Sequence, residues 1–178
     1  MLQLSASSLA VISGGGVNPC SSVEISLDEC LELNNSDVEG SKYTPSCAAY
    51  NGGDLWNYVV IPESGNIVFQ TNSNGGLNDT GIQIWTAQGC FPLDGLACDD
   101  DGGNNYFSYI NLDGLTAGDT VYIQTWGYGG AAGRFELCVY DPGIISLYES
   151  SLPIFIIDTG GEEIPDEPKI DATLDLIY

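Results

Sequence analysis

Short runs in which apolar and polar residues alternate recur along most of this chain, and each run ends at a turn rich in Gly, Asn or Pro. Residues 66–71 (NIVFQT), 120–126 (TVYIQTW) and 134–140 (RFELCVY) are examples, and turns recur about every 10 to 15 residues. Alternation with a period of two is typical of β-strands that bury one face. The sequence therefore predicts an all-β fold, an antiparallel jelly-roll-like β-sandwich with short extra strands at both ends.

The charge of the chain narrows its range of partners. Its 178 residues carry a formal net charge of −22, with 25 acidic residues and three basic ones. Nucleic acids and anionic membrane surfaces bind through Lys and Arg, so both are excluded. The longest apolar runs are too short to cross a bilayer, so we expect no membrane insertion. Calcium and neutral glycans are compatible with such a charge; the alternative is a solvated acidic surface with no specific partner.

Six cysteines and the absence of histidine constrain the chemistry further. Without histidine, neither a Ser-His nor a Cys-His pair can form, and zinc sites that need imidazole are excluded. A four-cysteine zinc site would need paired C-x-x-C motifs, and the chain contains none. An even number of cysteines in a Gly-rich β chain instead indicates disulfides and an oxidising compartment, and hence an extracellular or cell-surface location.

The spacing of the cysteines suggests their pairing. Cys90 and Cys98 flank a hairpin-sized loop, and a bond between them would stabilise the fold by about 2.5 kcal/mol through the loss of loop entropy. The four other cysteines allow three pairings. We favour the one that ties the first strand to the last, with bonds Cys30–Cys47 and Cys20–Cys138.

The chain divides into three parts. Residues 1–16 form a strand or linker that lacks a basic region and makes a poor signal peptide, so we expect an export signal outside this chain. Residues 17–142 form the sandwich. Residues 143–178 contain two apolar strands, 151–157 and 170–178, around an acidic Pro-rich loop. Two strands cannot build their own core, so this tail is expected to pair with the sandwich, another chain or downstream sequence.

Five stretches between residues 20 and 141 carry a family resemblance. They are residues 53–56 (GDLW), 79–82 (DTGI), 98–103 (CDDDGG), 114–123 (GLTAGDTVYI) and 127–130 (GYGG). In this order they resemble the motifs of bacterial pre-peptidase C-terminal (PPC-like) domains. The resemblance implies a small jelly-roll-like sandwich that accompanies a functional domain in a secreted enzyme or adhesin.

The tail resembles a different family. Residues 151–161 (SLPIFIIDTGG) and 164–170 (IPDEPKI) are similar to the opening of a CotH-type spore-coat-kinase-like domain. The ATP-binding and catalytic motifs of that family have no counterpart in this chain, so kinase activity does not follow. The resemblance implies a PPC-like module placed before a larger secreted domain, which would be its partner in the same polypeptide.

The acidic loop at residues 99–101 is the sharpest local feature. Three adjacent carboxylates, Asp99, Asp100 and Asp101, repel one another, and an ordered loop would need a compensating cation. Calcium accepts six to eight oxygen ligands in flexible geometry. Alternating side chains cannot all reach one ion, so we expect about two of the three to bind, with Asp79 and Asp54 as further ligands. The alternative is a solvated acidic turn.

Aromatic residues on the polar side of the strands suggest a second kind of site. The residues are Trp85, Tyr122, Trp126 and Tyr128. Amphipathic rings on a rigid sheet suit stacking against sugars. Packing is the alternative, since large aromatic side chains usually serve burial first.

Together these features predict a non-catalytic secreted accessory module that spaces, stabilises or targets a neighbouring domain, stiffened by calcium and disulfides. One alternative is a carbohydrate-binding or adhesion module. Another is a self-assembling extracellular subunit, in which residues 2–12 or 151–157 complete the sheet of a neighbouring copy by strand addition. An enzyme is not expected.

Overall fold

The computed structural model of the chain describes residues 14–143 and two further strands, and the chain divides into two compact units at residues 143 and 144. Two 3-10 turns, Pro19–Ser21 and Tyr128–Gly130, accompany the strands of the first unit. These strands are β1 Val23–Glu24, β2 Glu29–Asn34, β3 Leu55–Val60, β4 Ile67–Asn72, β5 Thr80–Ala87, β6 Leu93–Asp99, β7 Tyr109–Leu112, β8 Thr120–Gly127 and β9 Arg134–Tyr140.

The strands form two sheets, with the order β2-β9-β4-β7 in one and β1-β3-β8-β5-β6 in the other. The antiparallel pairs are nested: β2 pairs with β9, β3 with β8, β4 with β7 and β5 with β6. Strands β2 to β9 of the first unit thus form one long rolled-up hairpin, because β4 also pairs with β9 and β5 with β8. This arrangement is a jelly roll, so the predicted fold class is confirmed.

Apolar side chains from the facing sides of the two sheets fill the interior. The four-stranded sheet contributes Leu33, Ile67, Phe69, Phe135, Leu137 and Val139, and the five-stranded sheet contributes Leu55, Val59, Ile82, Ile84, Val121 and Ile123. The alternation seen in the sequence therefore places one residue in two in the core, where the hydrophobic effect stabilises it.

Strand β6 differs from the sequence prediction, which placed residues 91–97 in a hairpin loop. Asp94 and Gly95 interrupt the apolar alternation of this segment, and both residue types are depleted in strands. Pairing with β5 outweighs these local preferences, with a bulge at Leu96 of β6 opposite the step from Ile84 to Trp85. The result is an edge strand in the five-stranded sheet.

All six cysteines form disulfides, as predicted, but the pairing differs. The predicted Cys90–Cys98 bond is wrong, because Cys98 lies in β6, five residues and about 17 Å of extended strand beyond its first residue, Leu93. A disulfide needs Cα atoms within about 7 Å of each other. The bonds are Cys20–Cys90, Cys30–Cys138 and Cys47–Cys98.

The predicted Cys30–Cys47 and Cys20–Cys138 bonds are also wrong. Cys30 lies directly opposite Cys138 in the register of β2 and β9, so their side chains share one face of the sheet. Cys47 instead joins Cys98 at the end of β6. A bond does join an early strand to the last strand of the sandwich, but through Cys30 rather than Cys20.

The second unit contains β10 Ile154–Asp158 and β11 Thr173–Ile177, which pair antiparallel with each other. They overlap the two strands predicted in the tail. The predicted N-terminal strand, residues 2–12, lies outside the described residues. Within the described part, no helix is long and apolar enough to cross a membrane.

Candidate functional site

The pairing of β5 with β6 brings acidic residues together at one end of the five-stranded sheet. Asp79 immediately precedes β5, and Asp100 and Asp101 immediately follow β6. Because the strands are antiparallel, with Ile82 opposite Asp99, the start of β5 lies beside the end of β6. Asp79, Asp100 and Asp101 each place a carboxylate oxygen within 4.8 Å of the others. We call these three residues the acidic triad.

Asp99 shapes the loop beside the acidic triad. Its Oδ2 accepts hydrogen bonds from the backbone N–H of Gly102 (2.9 Å) and of Tyr109 (2.8 Å). The Ser108 hydroxyl donates to the backbone oxygen of Asp100 at 3.1 Å, which fixes the loop from the opposite side. Asp99, predicted as one of the metal ligands, therefore organises the loop while the next two aspartates face Asp79.

The carboxylates of the triad are incompletely satisfied. Asp79 Oδ1 and Asp100 Oδ1 are shut off from solvent and accept no hydrogen bond from the protein. Burial raises the pKa of Asp100 to about 6, and the neighbouring charges of Asp101, Asp79 and Asp99 add to this effect. Burial, followed by the charge of Asp101, also raises the pKa of Asp79. A cation would relieve both effects, and three carboxylates are donors suited to a hard ion such as calcium.

Asp54, also predicted as a metal ligand, lies in a different environment. It is fully buried, and its two oxygens accept four hydrogen bonds. Oδ1 accepts from Ser41 N (2.6 Å) and the Tyr50 hydroxyl (2.7 Å), and Oδ2 from Trp56 Nε1 (2.6 Å) and Gln124 Nε2 (3.0 Å). Burial and the Asp54 carboxylate raise the pKa of Tyr50, so the phenol remains a donor. Asp54 thus organises a buried polar network and does not belong to the acidic triad.

This network anchors a long connection, residues 35–54, which we call the cover segment because it lies on the outer face of the five-stranded sheet. Gln124 Nε2 donates to the backbone oxygen of Tyr43, and Ser46 N and Oγ donate to Gln83 Oε1. Gln83 and Gln124 are consequently buried, although their alternation with core residues predicts exposure. The sequence analysis did not identify the cover segment; the signal that could have indicated it is the pair Tyr43 and Tyr50 within a connection rich in polar residues.

The four predicted aromatic ligand residues occupy different environments. Trp126 is fully buried, and Tyr50 packs edge-on against it with ring centroids 5.8 Å apart. A side chain at Gly81 would collide with this indole, which explains the glycine directly opposite Trp126 on β5. The predicted sugar-binding role is therefore wrong for Trp126, and the alternative, packing, is correct for this residue. Tyr128 is 44% exposed but lies in the turn after β8.

Trp85 and Tyr122 remain half-buried and lie directly opposite each other on β5 and β8. A third residue, Tyr58 on β3, lies opposite Tyr122 on the same face, with ring centroids 6.4 Å apart. The sequence analysis did not include Tyr58, although its place in the run LWNYVV, two residues after Trp56, assigns it to the outer face.

Solved structures similar to this chain include the two described below. No family model and no curated protein sequence matches the chain. The pre-peptidase C-terminal domain of a collagenase from Bacillus anthracis matches 66% of this chain and 92% of its own length, at 14% identity and a TM-score of 0.40. CorA, a surface-associated copper-binding protein of Methylomicrobium album BG8, matches 67% of this chain and 98% of its own length, at 8% identity and a TM-score of 0.46. These values carry no argument about ligand or activity.

Proposed function

We propose that this chain is a non-catalytic accessory module of a secreted or cell-surface protein, stiffened by its disulfides and by one calcium ion at the acidic triad. The observation that carries the proposal is the pair of carboxylate oxygens, Asp79 Oδ1 and Asp100 Oδ1, which are buried without a hydrogen-bond partner. Buried polar atoms are nearly always satisfied in folded proteins, and a bound ion would satisfy these two.

The chemistry of the donors favours calcium over other ions. The chain has no histidine, and all six cysteines are in disulfides, so only oxygen ligands remain. Such ligands suit hard cations rather than zinc or copper. Magnesium needs near-ideal octahedral geometry, whereas calcium tolerates the irregular arrangement that a loop and a strand end provide.

The position of the triad explains how an ion would stiffen the module. An ion there would join the start of β5 to the loop after β6, so it would fix the end of an edge strand. The Cys47–Cys98 bond holds the same strand end to the cover segment. Disulfide and ion would together restrain one corner of the sandwich, which suits a spacer placed beside a neighbouring domain of a longer polypeptide.

We expect calcium to raise the thermal stability of the protein at pH 7. Calcium at one hundred times its dissociation constant should add about 2.7 kcal/mol to the free energy of unfolding, because it binds only the folded chain. Differential scanning calorimetry in EDTA and in excess calcium measures this shift. Equal melting temperatures in the two conditions would contradict the proposal.

Two variants sharpen the measurement. Asp100→Asn removes a ligand charge and should abolish the calcium-dependent shift, while raising the melting temperature in EDTA because the triad is less repulsive. Asp113→Asn, an exposed aspartate outside the triad, is the matched control and should keep the full shift. If both variants respond to calcium like the unmodified protein, the ion binds elsewhere.

Calcium binding should weaken as the pH falls. The pKa of Asp100 is raised from 3.8 to about 6, so the metal-free fold gains stability from the protonated acid below pH 3.8 and loses it as the pH rises through 6. Calcium must displace this proton. We therefore expect its dissociation constant to be about tenfold higher at pH 5 than at pH 7.

Isothermal titration calorimetry in two buffers of different ionisation enthalpy would measure both the affinity and the proton release. The heat should depend on the buffer at pH 5 and hardly at all at pH 7. An affinity that is the same at both pH values would show that no protonated carboxyl takes part.

A further inference from the structure

The outer face of the five-stranded sheet is divided into a covered and an uncovered half. In the covered half, Trp56, Gln124 and Trp126 are fully buried beneath the cover segment. Tyr43 packs edge-on against Trp56, with ring centroids 5.6 Å apart. On the same face, Tyr58, Tyr122 and Trp85 stay half-buried, although Trp85 adjoins the covered half through its ring contact with Trp56 and its hydrogen bond to Gln124 Oε1.

These three aromatic residues form a row across three neighbouring strands. Tyr58 on β3 lies opposite Tyr122 on β8, and Tyr122 lies opposite Trp85 on β5. Directly opposed residues share one face of a sheet. With strands about 4.8 Å apart, the row is about 10 Å long. We call Tyr58, Tyr122 and Trp85 the aromatic row.

The strand beyond Trp85 leaves the end of the row open. Gly95 on β6 lies opposite Trp85, and a Cβ built there would lie 3.7 Å from the indole Cζ3. Any larger side chain at this position would cover the indole edge. At the other end of the row, the Tyr58 hydroxyl donates to Glu24 Oε2 at 3.2 Å, which places a hydrogen-bonding donor and acceptor at the rim.

We propose that the aromatic row binds a neutral, extended glycan chain. The C–H faces of sugar rings stack on aromatic rings, while their hydroxyls can bond both Tyr58 and Glu24. Rings on paired strands are held rigidly, so little side-chain entropy is lost on binding. The inference does not depend on calcium at the acidic triad, which lies at the other end of β5.

Charge decides between possible occupants. Lys42 and Arg134 are the basic residues of the described part, and Arg134 pairs with Glu32 at 3.6 Å. A net charge of −22 repels acidic polysaccharides and also a second copy of this chain. A neutral glycan avoids this cost. The ring planes of Tyr58 and Tyr122 are inclined by 48° to each other. This twist fits a soluble glycan chain whose successive sugars are rotated, and it does not fit the flat surface of a crystalline polysaccharide.

Affinity gel electrophoresis of the full chain tests the inference. The gels would contain a neutral soluble polysaccharide: mixed-linkage β-glucan, xylan, galactomannan or an α-glucan. We expect retardation in at least one gel. Tyr122→Ala should weaken binding about tenfold, as expected for the loss of one aromatic contact. Tyr58→Ala is a second variant with little structural risk, because its ring lies at the rim, and it should weaken binding in the same gel.

Tyr128→Ala is the matched control, because this exposed tyrosine lies about 20 Å along the strand from Tyr122. It should bind like the unmodified chain, and circular dichroism should show all three variants folded. The inference is overturned if no polysaccharide retards the chain, or if the Tyr58 and Tyr122 variants bind normally. It is also overturned if an oligolysine peptide binds the row in place of every glycan, since the occupant would then be a cationic peptide.

Discussion

Replacing Cys30 and Cys138 together by alanine is expected to lower the free energy of unfolding by about 5 kcal/mol. Their bond joins residues 108 positions apart, so it removes more loop entropy from the unfolded chain than either of the other disulfides. The hydrogen bonds between β2 and β9 do not depend on the bond, so the variant should keep its fold. Guanidinium unfolding followed by circular dichroism measures the loss.

The Cys47→Ala/Cys98→Ala variant provides the comparison. Its loop of 51 residues predicts a smaller loss, about 4 kcal/mol. Cys98 directly precedes the loop that carries Asp100 and Asp101, so this variant should also bind calcium more weakly. The Cys30 and Cys138 variant should bind calcium normally, because β2 and β9 belong to the other sheet. Equal calcium affinities in the two variants would mean that Cys47–Cys98 does not support the acidic triad.

Most strands could be predicted because their signal is local. In β4 and β9 every second side chain faces the core, so Phe69, Phe135 and Leu137 mark the pattern directly. β6 could not be predicted, since Asp94 and Gly95 favour a turn and the strand exists through pairing with β5. The disulfide pairing could not be predicted for the same reason. Cys30 faces Cys138 because of the register between two strands that lie more than one hundred residues apart in the sequence.

The candidate sites could be predicted only in part. The run of three aspartates in the sequence indicates Asp100 and Asp101 as candidate metal ligands. The pairing of β5 with β6 explains why Asp79 lies beside them in the acidic triad. The sequence cannot distinguish Trp85 from Trp126, because both alternate with core residues in the same way. The difference arises from the cover segment, which buries Trp126 completely, whereas Trp85 is only half-buried. A connection without periodicity gives no sign of the surface on which it packs.

Asp54, which anchors the cover segment, is expected to be the most sensitive position of the buried polar network. Replacing it by alanine is expected to lower the free energy of unfolding by about 4 kcal/mol, because buried donors on Trp56, Gln124 and Tyr50 would lose their acceptor. All four partners of Asp54 donate, so Asp54→Asn should cost nearly as much: its amide would present hydrogens to two of those donors. Chemical unfolding of both variants measures these losses.

Asp100 behaves oppositely in this test, because its Oδ1 is buried without a donor whereas the two oxygens of Asp54 accept four hydrogen bonds. Asp54→Asn should lose stability in EDTA and still bind one calcium ion with unchanged affinity. Asp100→Asn should gain stability in EDTA, because the triad is less repulsive, and lose the ion. An Asp54→Asn protein as stable as Asp113→Asn would refute the buried network. Weaker calcium binding in a folded Asp54→Asn protein would make Asp54 a ligand after all, since the cover segment and the acidic triad would then share the ion.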